Sequence, residues 1–232
     1  KSTLIFTMNC QMYPTVQPGM LVRIFGRERW DLTQLRRHFG IVAAGLMGTE
    51  LPGERTAVTT GLDAVIAGFF SASTLWPNLV VTAAMRERAE AVLELVGALE
   101  LREKLVGEMS AGQQRRVMIG RAVVGSGAGT GKAMPGASEM LLLDEPSNAL
   151  DLAAQQELRS MLRHLAQQGT GILLITHHIA DILPEIGRVI LMRDGRIVAD
   201  GLKAELLTAE RLSELFGVEV EVVERDGFCH AW

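Results

Sequence analysis

Two uninterrupted apolar runs limit the folds open to this chain. Met140-Leu141-Leu142-Leu143 leads directly into Asp144-Glu145-Pro146, and Gly171-Ile172-Leu173-Leu174-Ile175 leads into Thr176-His177-His178. Neither run alternates apolar with polar residues, so neither predicts a strand with one wet face. Continuous runs predict strands covered on both faces, as in a parallel sheet. Between them, Leu152 to Gln168 carries Leu158, Met161, Leu162 and Leu165 at helical spacing, and Gly169 stops the helix. Strand, helix, strand implies an α/β layered architecture.

The flanking segments extend this reading. Asp194-Gly195 sits between two apolar runs within Val189 to Ala199 and predicts an antiparallel hairpin at the edge of the sheet. Near the start, Leu4 to Met12 reads as a helix stopped by Pro14. Turn residues Gln17-Pro18-Gly19 follow, then a strand over Leu21-Val22-Arg23-Ile24-Phe25 ending at Gly26, and a short strand Gly40-Ile41-Val42. Asp63 to Phe70 and Arg86 to Leu101 read as helices, the second with Val92, Leu93, Val96 and Leu99 on a stripe best explained by core packing. The expected organisation is a core over 1–44, a helical sub-domain over 45–124, an insertion over 125–139, the rest of the core over 140–200, and a helix-and-strand tail over 201–232.

Composition excludes several functions. Net charge is −4 and aromatic residues make up 5% of the chain, which argues against an electrostatic nucleic-acid binder or a base-stacking surface. The basic groups Arg36-Arg37-His38 and Arg115-Arg116 read as solvated helix faces. The two cysteines, Cys10 and Cys229, form no metal or redox spacing and fit a reducing compartment. No apolar stretch reaches the roughly 18 residues that span a bilayer, and the longest, Ala64 to Ala72, is broken by Gly68 and Ser71.

Polar residues cluster where the predicted elements end. A strand would deliver Asp144 to its carboxyl end, where open α/β sheets bind ligands. An Asp there suits Mg²⁺, and Glu145 beside it suits polarising an attacking water. Read separately, the pair could equally be a polar turn. Met109-Ser110-Ala111-Gly112-Gln113-Gln114 opens a helix over Arg115 to Val124, and its free N–H groups could hold an anion or Ser110 could be a plain N-cap. His177, at the end of the second strand, could contact a terminal phosphate. Adjacent histidines are expected to point in different directions, so His177 and His178 do not predict a metal site. Ser147-Asn148-Ala149-Leu150-Asp151 follows the acidic pair, and the chain opens on Lys1-Ser2-Thr3, the residues that close a phosphate-binding loop. Gly125-Ser126-Gly127-Ala128-Gly129-Thr130-Gly131-Lys132-Ala133 imitates such a loop, but Ala133 supplies no hydroxyl and no apolar strand precedes it. It reads as a Gly/Ser-rich insertion.

Taken in order, these motifs resemble those of the ATP-binding-cassette (ABC) ATPases over nearly the whole chain. Within that family the chain looks similar to the molybdate-transport-type and photorepair-type branch, on Arg115-Arg116-Val117, Thr176-His177-His178 and the tail Leu212-Ser213-Glu214-Leu215-Phe216-Gly217-Val218. The resemblance implies a P-loop NTPase core with a mostly parallel sheet, an antiparallel edge hairpin and an inserted helical sub-domain. It also implies a chain that begins inside the phosphate loop, lacks the first strands, and therefore binds ATP weakly and is inactive by itself, the Mg²⁺-dependent ATPase activity belonging to the full-length protein. Lys1 becomes the phosphate-loop lysine, Ser2 a Mg²⁺ ligand and Thr3 part of the phosphate-facing helix start. Asp144 becomes the second metal-site residue, Glu145 the general base and His177 the switch histidine. Ser110, Gly112 and Gln113 become the signature loop that closes on ATP held by another subunit, and Asp151 part of the loop communicating across that dimer.

ATP and Mg²⁺ are the implied ligands. A second ABC subunit, in a homo- or heterodimer, and a transmembrane transporter subunit are the implied partners, with no direct nucleic acid. The implied location is cytoplasmic, peripheral at the inner face of the cell membrane. Two departures stand out. Ala43-Ala44 occupies the place where the family usually carries a Gln, and Ala111 replaces the usual first Gly of the signature, crowding backbone near phosphate. A transporter ATPase, a soluble ABC ATPase in repair or translation, and a non-catalytic nucleotide-responsive module all remain compatible with the motifs.

Overall fold

The computed structural model describes residues 2–43, 58–125 and 140–232. Lys1, Ala44 and most of the Gly/Ser-rich segment lie outside the described residues. Three parallel strands form the centre: β1 (Phe39–Val42), β2 (Met140–Asp144) and β3 (Gly171–Ile175), in the order β1-β2-β3. Gly40 pairs with Leu141, Leu141 with Ile172, and Asp144 with Ile175.

The middle strand is buried on both faces, as its unbroken apolar run predicts. Leu141 and Leu143 join the main core, whereas Leu142 joins a second cluster with Ile5, Leu35, Phe39 and Ala43. Alternate residues of a strand point to opposite faces, so helices must cover both sides. On one side lie α1 (Ser2–Met8) and α2 (Leu32–Arg37). On the other lie α3 (Gly61–Ala67), α4 (Ala83–Leu95), α5 (Ala111–Val123) and α6 (Leu152–Gln167). Burying one Leu side chain contributes about 1.5–3 kcal/mol, so β2 is a principal source of stability as well as the arm that carries the acidic pair. β3 differs from expectation: Gly171 to Leu174 are only half-buried, because β3 pairs with β2 alone among the described residues.

Helix ends follow local chemistry more closely than the apolar stripe. Thr82 caps α4 by accepting from the Met85 N–H at 3.2 Å, so the helix starts three residues before Arg86. It stops at Leu95, not Leu101, because Gly97 turns left-handed at φ +62°. The Ala98 N–H then bonds back to the Leu93 carbonyl at 2.7 Å. The same closure ends α1 at Met8 rather than Met12, with Cys10 at φ +54° and the Gln11 N–H reaching the Phe6 carbonyl at 2.8 Å. The α6 helix carries Leu158, Met161, Leu162 and Leu165 buried, as its spacing predicts.

The predicted strand Leu21 to Phe25 is absent. Only a bridge between Ile24 and Arg27 forms, around left-handed Phe25 and Gly26. No neighbouring strand among the described residues offers its backbone a partner. The Asp194-Gly195 hairpin does form, as β4 (Arg188–Arg193) and β5 (Arg196–Leu202), with both turn residues at positive φ. Among the described residues it stands as its own two-stranded sheet and does not join the parallel sheet. After it come α7 (Lys203–Leu206), α8 (Ala209–Phe216), and a hairpin of β6 (Val222–Arg225) and β7 (Phe228–Ala231). Asp226-Gly227 turns this last hairpin with the same positive-φ pair.

Candidate functional site

The carboxyl ends of β2 and β3 bring the acidic pair and the histidines together. Asp144 closes β2 opposite Ile175, and the next residue, Glu145, turns the chain at φ +47° while its N–H donates to the Ile175 carbonyl at 2.7 Å. A left-handed non-glycine residue costs about 1–2 kcal/mol and persists where its surroundings over-determine it, often at functional sites. The strain here aims the carboxylate sideways. Glu145 Oε1 lies 2.9 Å from His177 Nδ1, and Glu145 Oε2 accepts from the Asn148 side-chain amide. Both members of the pair are partly open, with the His177 side chain 47% and the Glu145 side chain 33% exposed. A carboxylate held by an imidazole and an amide, yet open to solvent, can polarise a water. With Nδ1 turned to Glu145, Nε2 is the ring nitrogen left for a ligand.

The two histidines do not diverge as expected. Their ring centroids lie 3.9 Å apart at 41°. Thr176 Oγ1 accepts from the His178 N–H at 2.9 Å, and this turn curls the chain so that consecutive side chains share a side. Beside them the tail closes a cleft of about 420 Å³ lined by His177, His178, Phe216, Val220, His230 and Trp232. Among the described residues, no group of three or more His, Cys, Asp or Glu side chains is placed to hold a metal.

A buried network under the pair was not foreseen. Asp181, in the turn Ile179–Asp181 that follows β3, is 4% exposed, and Ser147 is 3% exposed. Ser147 Oγ donates to Asp181 Oδ2. Arg159, on α6, places Nη2 3.2 Å and Nε 3.3 Å from Asp181 Oδ1. Breaking a buried ion pair by removing one partner typically costs about 3–5 kcal/mol. No local spacing announces this contact, since Ser147 and Asp181 are 34 residues apart.

The second set of expected residues gathers at the starts of α5 and α6. Ser110 Oγ accepts from the Gln113 N–H at 3.3 Å, Gln113 Oε1 accepts from the Ser110 N–H at 3.1 Å, and Lys104 Nζ donates to the same oxygen at 3.0 Å. This reciprocal cap starts the helix at Ala111, four residues before Arg115. Ala111 is exposed and has ordinary helical backbone, so its methyl group strains nothing within the chain. A Cβ on Gly112 would meet the Ala154 Cβ at 3.0 Å, so the glycine lets α5 start close against α6. Asp151 caps α6, accepting from the Ala154 N–H at 2.8 Å. Ser2 and Thr3 open α1, whose Ile5 packs in one cluster with Leu142 and Ile175. Asp144 and Ser2 are hard oxygen donors of the type that holds Mg²⁺ beside phosphates, so the residues present fit that ion.

Known proteins resemble this chain in sequence and in fold. A family model described as ABC transporter matches residues 1–148. The uncharacterized ABC transporter ATP-binding protein YlmA of Bacillus subtilis (strain 168) is 28% identical over 225 residues, covering 95% of this chain and 78% of that protein. The vitamin B12 import ATP-binding protein BtuD of Escherichia coli (strain K12) is 32% identical over 159 residues, covering 67% of this chain and 62% of BtuD. Among solved structures, a dimeric ATP-binding cassette in a post-hydrolysis state, bound to ADP and Pi, superposes with a TM-score of 0.64 at 23% identity. That match covers 87% of this chain and 79% of the cassette.

Proposed function

This chain belongs to the ABC transporter family, and from that premise we propose that it is an ATP-binding subunit that hydrolyses ATP to ADP and phosphate to drive a transporter. The observation that carries the proposal is the 2.9 Å approach of His177 to Glu145 at the ends of adjacent parallel strands. Glu145 takes a proton from the attacking water as it adds to the γ-phosphorus, and the bond to the β–γ bridging oxygen breaks. His177, oriented by Glu145, offers its second nitrogen to the γ-phosphate oxygens. Lys1, Ser2 and Thr3 bind the phosphates. Ser2 and Asp144 would hold Mg²⁺, which when bound would offset charge on the phosphate oxygens.

Ser110, Gly112 and Gln113 are directed to ATP held by a second subunit, with Asp151 in the loop between the two, so the active unit is a homo- or heterodimer. Among the described residues no helix is long and apolar enough to cross a membrane. A transmembrane partner at the inner face of the membrane supplies the transport path, and the chain itself is cytoplasmic. The same reading assigns 1–44 and 140–200 to the ATP-binding core, 45–124 to the signature sub-domain, 125–139 to an insertion and 201–232 to the tail. The paired histidines and the tail support placement near the molybdate-transport-type and photorepair-type branch.

The test is Mg²⁺-dependent phosphate release by the full-length protein, which serves as the parent. Glu145→Gln is expected to lower turnover about 10²–10⁴-fold while leaving ATP binding in place. Equal turnover by the variant, or no Mg²⁺-dependent turnover by the parent, would refute the reading.

A further inference from the structure

The two loops that carry Glu145 and His177 are not joined by their reacting side chains alone. Both are anchored on one carboxylate. Ser147, two residues beyond Glu145, donates to Asp181 Oδ2. Thr176, one residue before His177, places Oγ1 3.3 Å from the same oxygen. Oδ1 faces Arg159 Nη2 at 3.2 Å, which fixes the carboxylate against α6. Asp181 has a side chain only 5% exposed, and a buried charge is stable only with full hydrogen bonding. Its orientation is therefore set by these partners, and theirs by it. The Thr176 hydroxyl has a second acceptor, the His178 carbonyl at 3.3 Å. One proton serves two acceptors, so without the carboxylate the Thr176 hydroxyl keeps only its contacts within the turn, and the tie through Asp181 between that turn and the Ser147 loop is lost.

We propose that Asp181 is a positioning residue for hydrolysis, holding the Ser147 loop and the Thr176-His177 turn in register so that His177 meets Glu145; the proposal rests on the ATPase reading above. Asp181 touches no substrate and acts through His177. Small misplacements of a reacting group lower rates steeply, about 10²-fold for 1 Å.

The test combines Asp181→Asn with the milder Thr176→Val, each in the parent and in a His177→Ala background. In the parent, both variants are expected to lower kcat tenfold or more, with the ATP dissociation constant changed less than twofold. In the His177→Ala background, Asp181→Asn is expected to lower the residual single-turnover rate less than twofold, because its route is already removed. An equal fold-loss in both backgrounds, or unchanged kcat in a folded variant, overturns the proposal and leaves the ATPase reading standing. A parent without Mg²⁺-dependent turnover overturns the ATPase reading instead. An activity-independent measurement then still decides the link: the His177 imidazole resonances of isotope-labelled protein should shift in Thr176→Val, and unmoved resonances refute it.

Discussion

Replacing Gly40 with Ala tests how tightly the sheet is built against the helices that frame the site. Gly40 sits in β1 opposite Leu141 of β2, and α5 crosses directly above it. A Cβ at this position would lie 2.3 Å from the Ala122 carbonyl oxygen and 2.9 Å from its carbon. Carbon and carbonyl oxygen ordinarily approach no closer than about 3.3 Å, so α5 or β1 must move by roughly 1 Å. The obstacle is backbone, with no flexible side chain to swing aside. Overpacking of this kind costs about 1–3 kcal/mol, and the rigid obstacle places Gly40→Ala at the upper end. At about 2–4 °C per kcal/mol for a chain of this size, the melting temperature should fall by about 6–12 °C. Gly187→Ala is the control: nothing lies within 4 Å of its added Cβ and its φ is not in the left-handed range. It should stay within about 0.5 kcal/mol of the parent. Thermal unfolding followed by circular dichroism measures both. If Gly40→Ala melts with the parent, β1 and α5 are not in the close contact described and the argument fails.

Two further outcomes follow from local chemistry. Ser110→Ala removes the cap of α5; it should destabilise the chain by about 1 kcal/mol in chemical denaturation, and an unchanged midpoint would show the cap to be unimportant. Glu185 gives a pH dependence: burial would raise its carboxyl, but hydrogen bonds from Arg163 at 2.9 Å and Gln167 at 3.0 Å outweigh that and hold it below the usual range. A lowered folded value means stability present above the ordinary carboxylate range and lost as pH falls through the folded value. Glu185→Gln should therefore be less stable than the parent at pH 7 by about 0.5–1 kcal/mol, with the gap closing below about pH 4. A gap that widens in acid would contradict the assignment.

Legibility followed the range of the interaction. β2, β3 and α6 were readable because each is specified by its own residues: an apolar run, or a stripe at helical spacing closed by Gly169. The Asp194-Gly195 turn is legible for the same reason, and Asp226-Gly227 carries the identical signal. The end of α4 departs from the apolar stripe because a left-handed Gly97 outweighs a stripe that continues past it to Leu99. The strand over Leu21 to Phe25 failed because strand formation needs a neighbour, which a β-rich segment cannot supply for itself.

At the candidate site the division is the same. Sequence by itself determined which chemistry could be present: Asp144 and Glu145 at one strand end, Thr176 and His177 at another, and the Ser110-to-Gln113 motif at a helix start. Tertiary structure alone decided which of these meet. Parallel pairing of β2 with β3 in the register Asp144 opposite Ile175 is what carries Glu145 to His177. Burial of one carboxylate is what ties Ser147, Thr176 and Arg159 into a single support. The physical reason is that a hydrogen bond acts over about 3 Å in space, whatever the separation along the chain. Its partners are settled only when the core has packed.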